Sequence, residues 1–149
     1  MAKFNFRLQT LLNLKSQQED NLKNELAKAT RKLEKEKAIL RSLEDEEVKL
    51  IREFNEKSKK STVEKLIKFN QYLSFLNSKI KQQKENVNCA ARNVDKVRDE
   101  LIRIVKERKI LDNLKDRKHE QFMLEQKKED QRLNDEIVSY KHKGKDTGE

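Results

Sequence analysis

The sequence of 149 residues contains no proline, no tryptophan and one cysteine, and its two glycines, Gly144 and Gly148, stand near its end. Proline and glycine are the strongest turn formers, so positions 1–143 lack the residues on which a compact, many-turned domain depends. The single cysteine, Cys89, excludes a disulfide within the chain and fits a reducing compartment. We expect it to be an inert surface thiol.

Long apolar runs are missing as well. No stretch approaches the ~20 apolar residues that a membrane-spanning helix needs. The opening "MAKFNFRLQTLLNLK" has no unbroken apolar run of the length found in secretory signals. The sequence therefore predicts a cytosolic protein that does not insert into a membrane, while peripheral association with a membrane stays open.

Chemistry-bearing motifs are scarce too. His119 and His142 are too isolated to form a metal site. The Gly-Lys pair in "GKDTGE" is not a phosphate loop, because no strand precedes it and no helix follows it. Residues 144–149 are expected to form a disordered tail. We expect no catalytic, cofactor-binding or metal-binding residue, and hence no enzyme.

Charge is abundant but evenly spread. Charged residues make up 42% of the chain and give a net charge of +9. This charge divides into +4 for residues 1–60, +4 for 61–105 and +1 for 106–149. Acids and bases alternate at helical spacing, as in Lys32/Glu36 and Glu53/Lys57, which is typical of a solvated helix face. A nucleic-acid-binding segment would concentrate its basic residues, so nucleic acid is only a rival partner.

Two heptad repeats dominate the sequence. Steps of four and three residues from Leu8 to Phe54 meet an apolar residue at ten of fourteen positions, and the exceptions are Lys15, Glu19, Glu36 and Glu47. Steps of three and four from Leu66 to Leu111 meet one at twelve of fourteen, the exceptions being Gln83 and Arg108. Two sustained repeats of 3.5 residues predict two coiled-coil helices.

The repeats predict an all-α protein, a long antiparallel two-helix coiled-coil hairpin. They are nearly equal in length, and the second decays after Leu111, where no first helix is left to pair with it. We predict a single hairpin over residues 1–143, with a first helix at about 4–58, a turn at about 59–61 and a second helix at about 62–140. "STVE", from Ser61 to Glu64, has the form of a helix-starting capping box.

Antiparallel pairing predicts which residues face each other. Opposite positions should have numbers that sum to about 119 or 120. Leu8 then faces Leu111, and Phe54 faces Leu66. Glu36 falls opposite Gln83 and Lys84, so two polar positions meet inside the seam. Such a pair can fix the register of the helices, or each side chain can reach water independently.

Two stretches carry more apolar residues than a heptad seam requires. "FNFRLQTLLNL" is one, and it would either seal the end of the hairpin or provide a docking surface. "LIKFNQYLSFLNSKI" is the other. Its residues Ile67, Tyr72 and Phe75 point away from the predicted seam. Exposed aromatic residues clustered on a helix indicate a partner, although packing against the turn or a second copy would also explain them.

At these two stretches the sequence resembles the FliJ family of the bacterial flagellar export apparatus, with an opening of the type F-x-F-R-L-Q-x-L-L-x-x-K from Phe4 to Lys15. The resemblance covers essentially the whole chain. It implies a stalk-like antiparallel coiled coil that inserts into the hexameric export ATPase, touches the membrane-embedded export gate and escorts export chaperones. Such a protein would lie in the cytoplasm, peripherally at the inner face of the cell membrane at the flagellar base.

The resemblance also implies binding residues. The gate-binding positions of the family fall on Tyr72, Leu76, Lys79 and Gln83, where Lys79 departs from a small residue and Gln83 from a histidine-like one. By analogy with a rotary stalk, the ATPase ring would contact the hairpin end that holds the termini, at Phe6, Arg7, Leu11 and the helix that continues after Leu114. The alternatives are a self-associating coiled-coil scaffold, with weak self-association left open, and the stalk protein of a virulence-type secretion system.

Overall fold

The computed structural model describes residues 2–57 and 62–146, and for Asp146 the backbone alone. Two helices account for most of these residues: α1, Gln9–Lys57, and α2, Val63–Asp146. They pack against each other as a hairpin, which confirms the predicted all-α class and two-helix architecture. The predicted turn at 59–61 lies outside the described residues.

Helix α1 begins later than the predicted start near residue 4. Its first turn is formed when the Gln9 amide donates to the Phe6 carbonyl at 3.1 Å and the Leu12 amide donates to the Leu8 carbonyl at 3.0 Å. Residues 2–6 are not helical. The heptad pattern could not reveal this, because apolar residues that cover a helix end can be supplied equally well by an extended segment.

Helix α2 begins with a cap at Thr62. The Thr62 hydroxyl accepts a hydrogen bond from the Lys65 amide at 3.4 Å, and its carbonyl accepts one from the Leu66 amide at 3.2 Å. A threonine oxygen in this position satisfies an amide that has no partner within the helix. The predicted cap, Ser61, lies outside the described residues. At its other end α2 continues to Asp146, beyond the predicted end near residue 140 and past Gly144.

The predicted seam is the buried surface of the hairpin. Every position of the first repeat, from Leu8 to Phe54, is buried or half-buried, including the four charged positions. In the second repeat only Leu66 is exposed. Burying this stripe removes apolar surface from water, while the charged faces remain solvated.

The register is close to the predicted one. Gln83 donates to the Glu36 backbone carbonyl at 2.9 Å and also to the Glu36 carboxylate, so the two polar seam positions do meet. Near the turn, however, the Phe54 ring stacks on Phe69, with centroids 3.8 Å apart and planes 12° apart. Phe69 lies one helical turn beyond Leu66, the expected partner of Phe54.

The contacts divide the chain into two units. The central unit comprises Glu19–Arg103, and the terminal unit comprises Met1–Gln18 with Ile104–Glu149. The central unit contains the Glu36–Gln83 pair and the stacked phenylalanines. The terminal unit contains a separate cluster of Phe6, Leu12 and Leu111, against which Phe4, Leu8 and Leu114 pack. Leu8 and Leu111 thus belong to one cluster, in agreement with their predicted pairing.

Candidate protein-docking surfaces

An aromatic and basic surface lies early in α2, within the central unit. Tyr72 and Phe75 are 42% and 54% exposed, and their ring centroids lie 6.5 Å apart. The Lys79 ammonium group is placed over the Phe75 ring, 4.8 Å from its centroid, as a cation–π contact. Spacings of three and four residues bring the three side chains to one helix face. We call these three residues the Tyr72 surface.

Tyr72 is held in place by the neighbouring helix. Its hydroxyl donates a hydrogen bond to the Glu46 carboxylate. This hydrogen bond and the negative charge of Glu46 raise the pKa of Tyr72 above its ordinary value of 10.0, with a smaller contribution from desolvation. The ring therefore presents an apolar face to solvent while its polar end is fixed against α1.

The other two predicted gate-binding residues lie in the seam. Leu76 is 2% exposed, and Gln83 is buried and engaged with Glu36. Asn86 in turn donates to the Gln83 side-chain oxygen at 3.2 Å. The four predicted residues therefore follow one another along α2 at intervals of three or four positions. Tyr72 and Lys79 are exposed, and Leu76 and Gln83 are buried beneath them. Their binding role remains a prediction.

The terminal unit supports a second candidate surface around the non-helical residues before α1. The Phe4 ring contacts His119 edge-on, with centroids 5.0 Å apart, and also lies 5.6 Å from the Phe122 ring. Phe6 is 8% exposed and belongs to the buried cluster. Aromatic rings in these arrangements attract each other beyond the effect of buried area. The segment therefore packs on α2.

The predicted ring-binding residues are also divided by burial. Arg7 is exposed, and Leu11 is 40% exposed, whereas Phe6 is buried and Leu114 is half-buried against the same cluster. A groove of about 700 Å³ runs beside them, and its charged lining residues are Lys3, Arg7, Lys118 and Glu125. Lys15 forms an ion pair with Glu107 at 2.7 Å in the same unit.

Beyond Phe122, α2 exposes apolar side chains. All residues from 127 to 145 are exposed. The exposed large apolar residues after Phe122 are Met123, Leu124, Leu133, Ile137, Val138 and Tyr140. Exposed apolar side chains in such numbers on one helix indicate a surface that a partner can cover.

The part of the chain that the structure describes contains neither a metal cluster nor a membrane span. No group of three or more His, Cys, Asp or Glu side chains in residues 2–57 and 62–146 is arranged to bind a metal ion. Within the same ranges, neither helix is long and apolar enough to cross a membrane.

Sequence reasoning missed two contacts of these surfaces. Glu46 was not connected with Tyr72, although the residue numbers sum to 118, close to the predicted value, so the pairing rule could have found it. His119 was considered only as a metal ligand, and its contact with Phe4 depends on a non-helical segment that heptad counting does not detect.

Together, the two helices and their seam define a class: antiparallel two-helix coiled-coil hairpins. The family profile described as "Flagellar FliJ protein" matches residues 4–147. The chain therefore belongs to the FliJ family, whose members are generally non-catalytic components of the flagellar export apparatus. No curated protein and no solved structure matched the chain.

Proposed function

We propose that the protein is the stalk, or coupling, protein of flagellar type III export, linking the export ATPase hexamer to the export gate and escorting export chaperones. It acts without catalysing a reaction, in the cytoplasm and at the inner face of the membrane at the flagellar base. The observation that carries the proposal is the family match across residues 4–147 of a chain whose two long helices pack against each other as a hairpin. A stiff helix pair transmits position along its length, whereas a flexible tail would not.

The gate would be contacted through the Tyr72 surface. Tyr72 and Lys79 offer exposed aromatic and basic groups, and Leu76 and Gln83 fix the helix that presents them. Exposed tyrosine at a surface anchored by a hydrogen bond is typical of residues that dominate binding energy, because little conformational entropy is lost on docking. Phe75, the third residue of the Tyr72 surface, adds a second exposed aromatic ring to the proposed contact.

The ATPase ring would be contacted through the terminal unit. Arg7 and Leu11 supply exposed contacts. Phe6 and Leu114 pack in the apolar cluster beneath them and support their positions. The charged residues of the adjoining groove are three basic and one acidic, which favours an acidic complementary surface on the ring. The exposed part of α2 after Phe122 would add apolar contact area.

The test of the coupling role is hydrolysis by the cognate export ATPase. We expect the full chain to raise the rate of ATP hydrolysis, and Arg7→Glu and Leu11→Ala each to reduce this stimulation several-fold. Ile39→Ala, a change at a 47% exposed aliphatic residue of the central unit, is the matched control and should stimulate normally. A chain that assembles by itself without affecting the ATPase would instead be a scaffold.

The test of the gate surface is a binding titration with the cytoplasmic part of the gate protein. Tyr72→Ala and Phe75→Ala should each weaken binding by about tenfold or more, as expected for exposed aromatic anchors. Tyr140→Ala is the matched control, because Tyr140 is 81% exposed and lies in the terminal unit. Unchanged affinity in both central variants, with full helicity, would exclude this surface from gate binding.

A virulence-type stalk is distinguished by partner choice. The flagellar ATPase should respond to the chain, and the ATPase of a virulence-type system should respond less. The reverse preference would assign the chain to the virulence-type system.

A further inference from the structure

A second exposed surface of the central unit lies on the outer side of α1. Val48 is 55% exposed and Ile51 is 38% exposed. They line a groove of about 470 Å³ together with Arg52, Asn55 and Glu56. Three further charged residues, Arg41, Glu44 and Asp45, precede the apolar pair by about one to two turns. We call the seven residues Arg41, Glu44, Asp45, Val48, Ile51, Arg52 and Glu56 the Val48 face.

These residues share one side of the helix. At about 100° per residue, they fall within an arc of roughly 140° with Val48 at its middle. Glu46, which binds Tyr72, lies about 160° away around the same helix. The Val48 face is therefore separate from both the seam and the Tyr72 surface, and neither of these explains why it carries exposed aliphatic residues.

The charges of the Val48 face follow a particular order. Along the chain they read positive at Arg41, negative at Glu44 and Asp45, then, after the apolar pair, positive at Arg52 and negative at Glu56. In the described part of the chain, none of these five side chains forms an ion pair or hydrogen bond. Their charges are thus available to a partner rather than satisfied within the hairpin.

This order is complementary to its own reverse. When the helix is placed antiparallel to a second copy, with Val48 at the centre, Arg41 meets Glu56, and Glu44 and Asp45 both meet Arg52, because each of these pairs of numbers sums to 96 or 97. The opposite contacts are generated by symmetry. A parallel arrangement would instead bring like charges together. Complementary charges set the orientation in which helices pair, and like charges exclude the alternative.

We propose that the Val48 face is a self-association surface, through which two copies of the chain pair antiparallel about a two-fold axis at Val48. At the axis, Val48 packs against its symmetry mate, Ile51 flanks it, and intermolecular ion pairs enclose the apolar centre. Such an interface is isologous, so each copy contributes the same residues.

The interface is small. Residues 41–56 span about 24 Å of helix at about 1.5 Å per residue, and the apolar part comprises two side chains from each copy. An interface this short buries less surface than the ~1,200 Å² that is typical of stable complexes. The dimer should therefore form reversibly, at micromolar concentrations of the chain. Because the Tyr72 surface belongs to α2 and meets α1 at Glu46, about 160° around α1 from Val48, pairing leaves the proposed gate contact open.

The decisive experiment uses two charge reversals, Glu44→Arg and Arg52→Glu, in the full chain. Alone, each variant opposes like charges twice in its own dimer, and we expect at least about tenfold weaker self-association in sedimentation equilibrium. Mixed in equal amounts, the two variants place opposite charges at both contacts between positions 44 and 52, so they should associate with each other more tightly than either variant associates with itself. The double variant should also recover self-association.

Glu25→Arg and Arg31→Glu are the controls, because they make the same charge changes at exposed positions of α1 outside the face. They should associate like the parent. A parent chain that is monomeric up to 100 μM, or a mixture no tighter than the single variants, would overturn the proposal. So would a dimer that the single reversals leave unchanged, because it would use another surface.

Cross-linking tests the position of the axis independently. In a Cys89→Ser background, Val48→Cys places a thiol opposite its own copy, within the 4.4–6.8 Å Cα separation that a disulfide needs. Mild oxidation should convert this variant to a covalent dimer much faster than Ile39→Cys, which is similarly exposed. Equal rates in the two variants would contradict the axis at Val48.

Discussion

The central and terminal units bury their apolar residues in different ways. In the central unit the two helices meet along a narrow seam, with Leu76 and Val94 among its most buried side chains. The seam includes the polar Glu36–Gln83 pair. In the terminal unit, non-helical residues that precede α1 also contribute to the buried surface. Phe4 packs on His119 of α2, and Phe6 packs with Leu111 of α2.

The difference shows what happens where a heptad repeat has no continuous partner. A coiled-coil seam requires apolar positions on both helices. Within the terminal unit, α1 begins only at Gln9, and the non-helical residues before it cover α2 as far as Phe122. Beyond that residue α2 exposes its apolar side chains. The apolar surface that α2 leaves exposed after Phe122 is therefore the surface that is proposed to contact the ATPase ring.

The largest effect is expected from a charge placed in the central seam. Val94 is 5% exposed, so Val94→Asp would bury a carboxylate without a partner and should lower the free energy of unfolding by about 3 kcal/mol or more. Val138→Asp is the matched control, because Val138 is 65% exposed, and its effect should stay within about 0.5 kcal/mol. Thermal melting followed by circular dichroism measures both, and equal melting temperatures would contradict the assigned seam.

The next largest effect concerns the terminal cluster. Phe6→Ala removes a buried ring and should cost about 3 kcal/mol locally. Hydrogen exchange should then accelerate in residues 9–18 and 104–122 and stay unchanged in most of 19–103, because the cluster belongs to the terminal unit. Leu11→Ala, at a 40% exposed residue, is the control. Uniform acceleration along the chain would show that the two units unfold together.

A smaller effect should follow from the polar pair of the central seam. Gln83→Leu leaves the Glu36 carboxylate without its partner and should cost about 1 kcal/mol. Replacing both residues by leucine should restore or exceed the parent stability, because an apolar pair suits the seam. Urea unfolding of Gln83→Leu, Glu36→Leu and the double variant gives the coupling energy between the two residues. Additive losses would show that the two residues stabilise the hairpin independently.

The smallest effect is the titration of Tyr72. The chain has two tyrosines, so in the Tyr140→Phe variant absorbance reports Tyr72 alone. Its pKa should lie above 10.0 and fall towards that value in Glu46→Gln. Because the pKa of Tyr72 is higher in the folded chain than in the unfolded chain, its hydrogen bond to Glu46 contributes fully to stability below pH 10. This contribution is lost as the pH rises through the pKa of Tyr72 in the folded chain. An unshifted titration would contradict the hydrogen bond to Glu46.

Much of the hairpin could be predicted because its causes are periodic. Apolar residues spaced for a seam, together with two repeats of nearly equal length, imply the pairing of Glu36 with Gln83. The same rule accommodates Tyr72 with Glu46. The rule failed at Leu66, which is exposed, while Phe54 stacks on Phe69. An apolar-polar pattern does not record the ring shape on which such stacking depends.

The candidate surfaces were only partly predictable. The excess of aromatic residues around Tyr72 was visible in the sequence, but burial divides the family-derived gate residues into exposed and seam positions. Which of two neighbouring positions faces solvent depends on small rotations of each helix, and those are set by packing with the partner helix. The packing of Phe4 on α2 could not be predicted from a repeat, because Phe4 lies in a non-helical segment outside the heptad pattern.

By itself, the sequence determined the number of helices, their antiparallel pairing and the residues that line the seam, because apolar spacing and the lack of turn formers leave few alternatives. Only the tertiary structure decided where α1 begins, how the rings of Phe4, Phe54 and Phe69 pack, and which side chains remain exposed. These features depend on contacts between residues far apart in the chain, and their energies are decided by shape as well as by hydrophobicity.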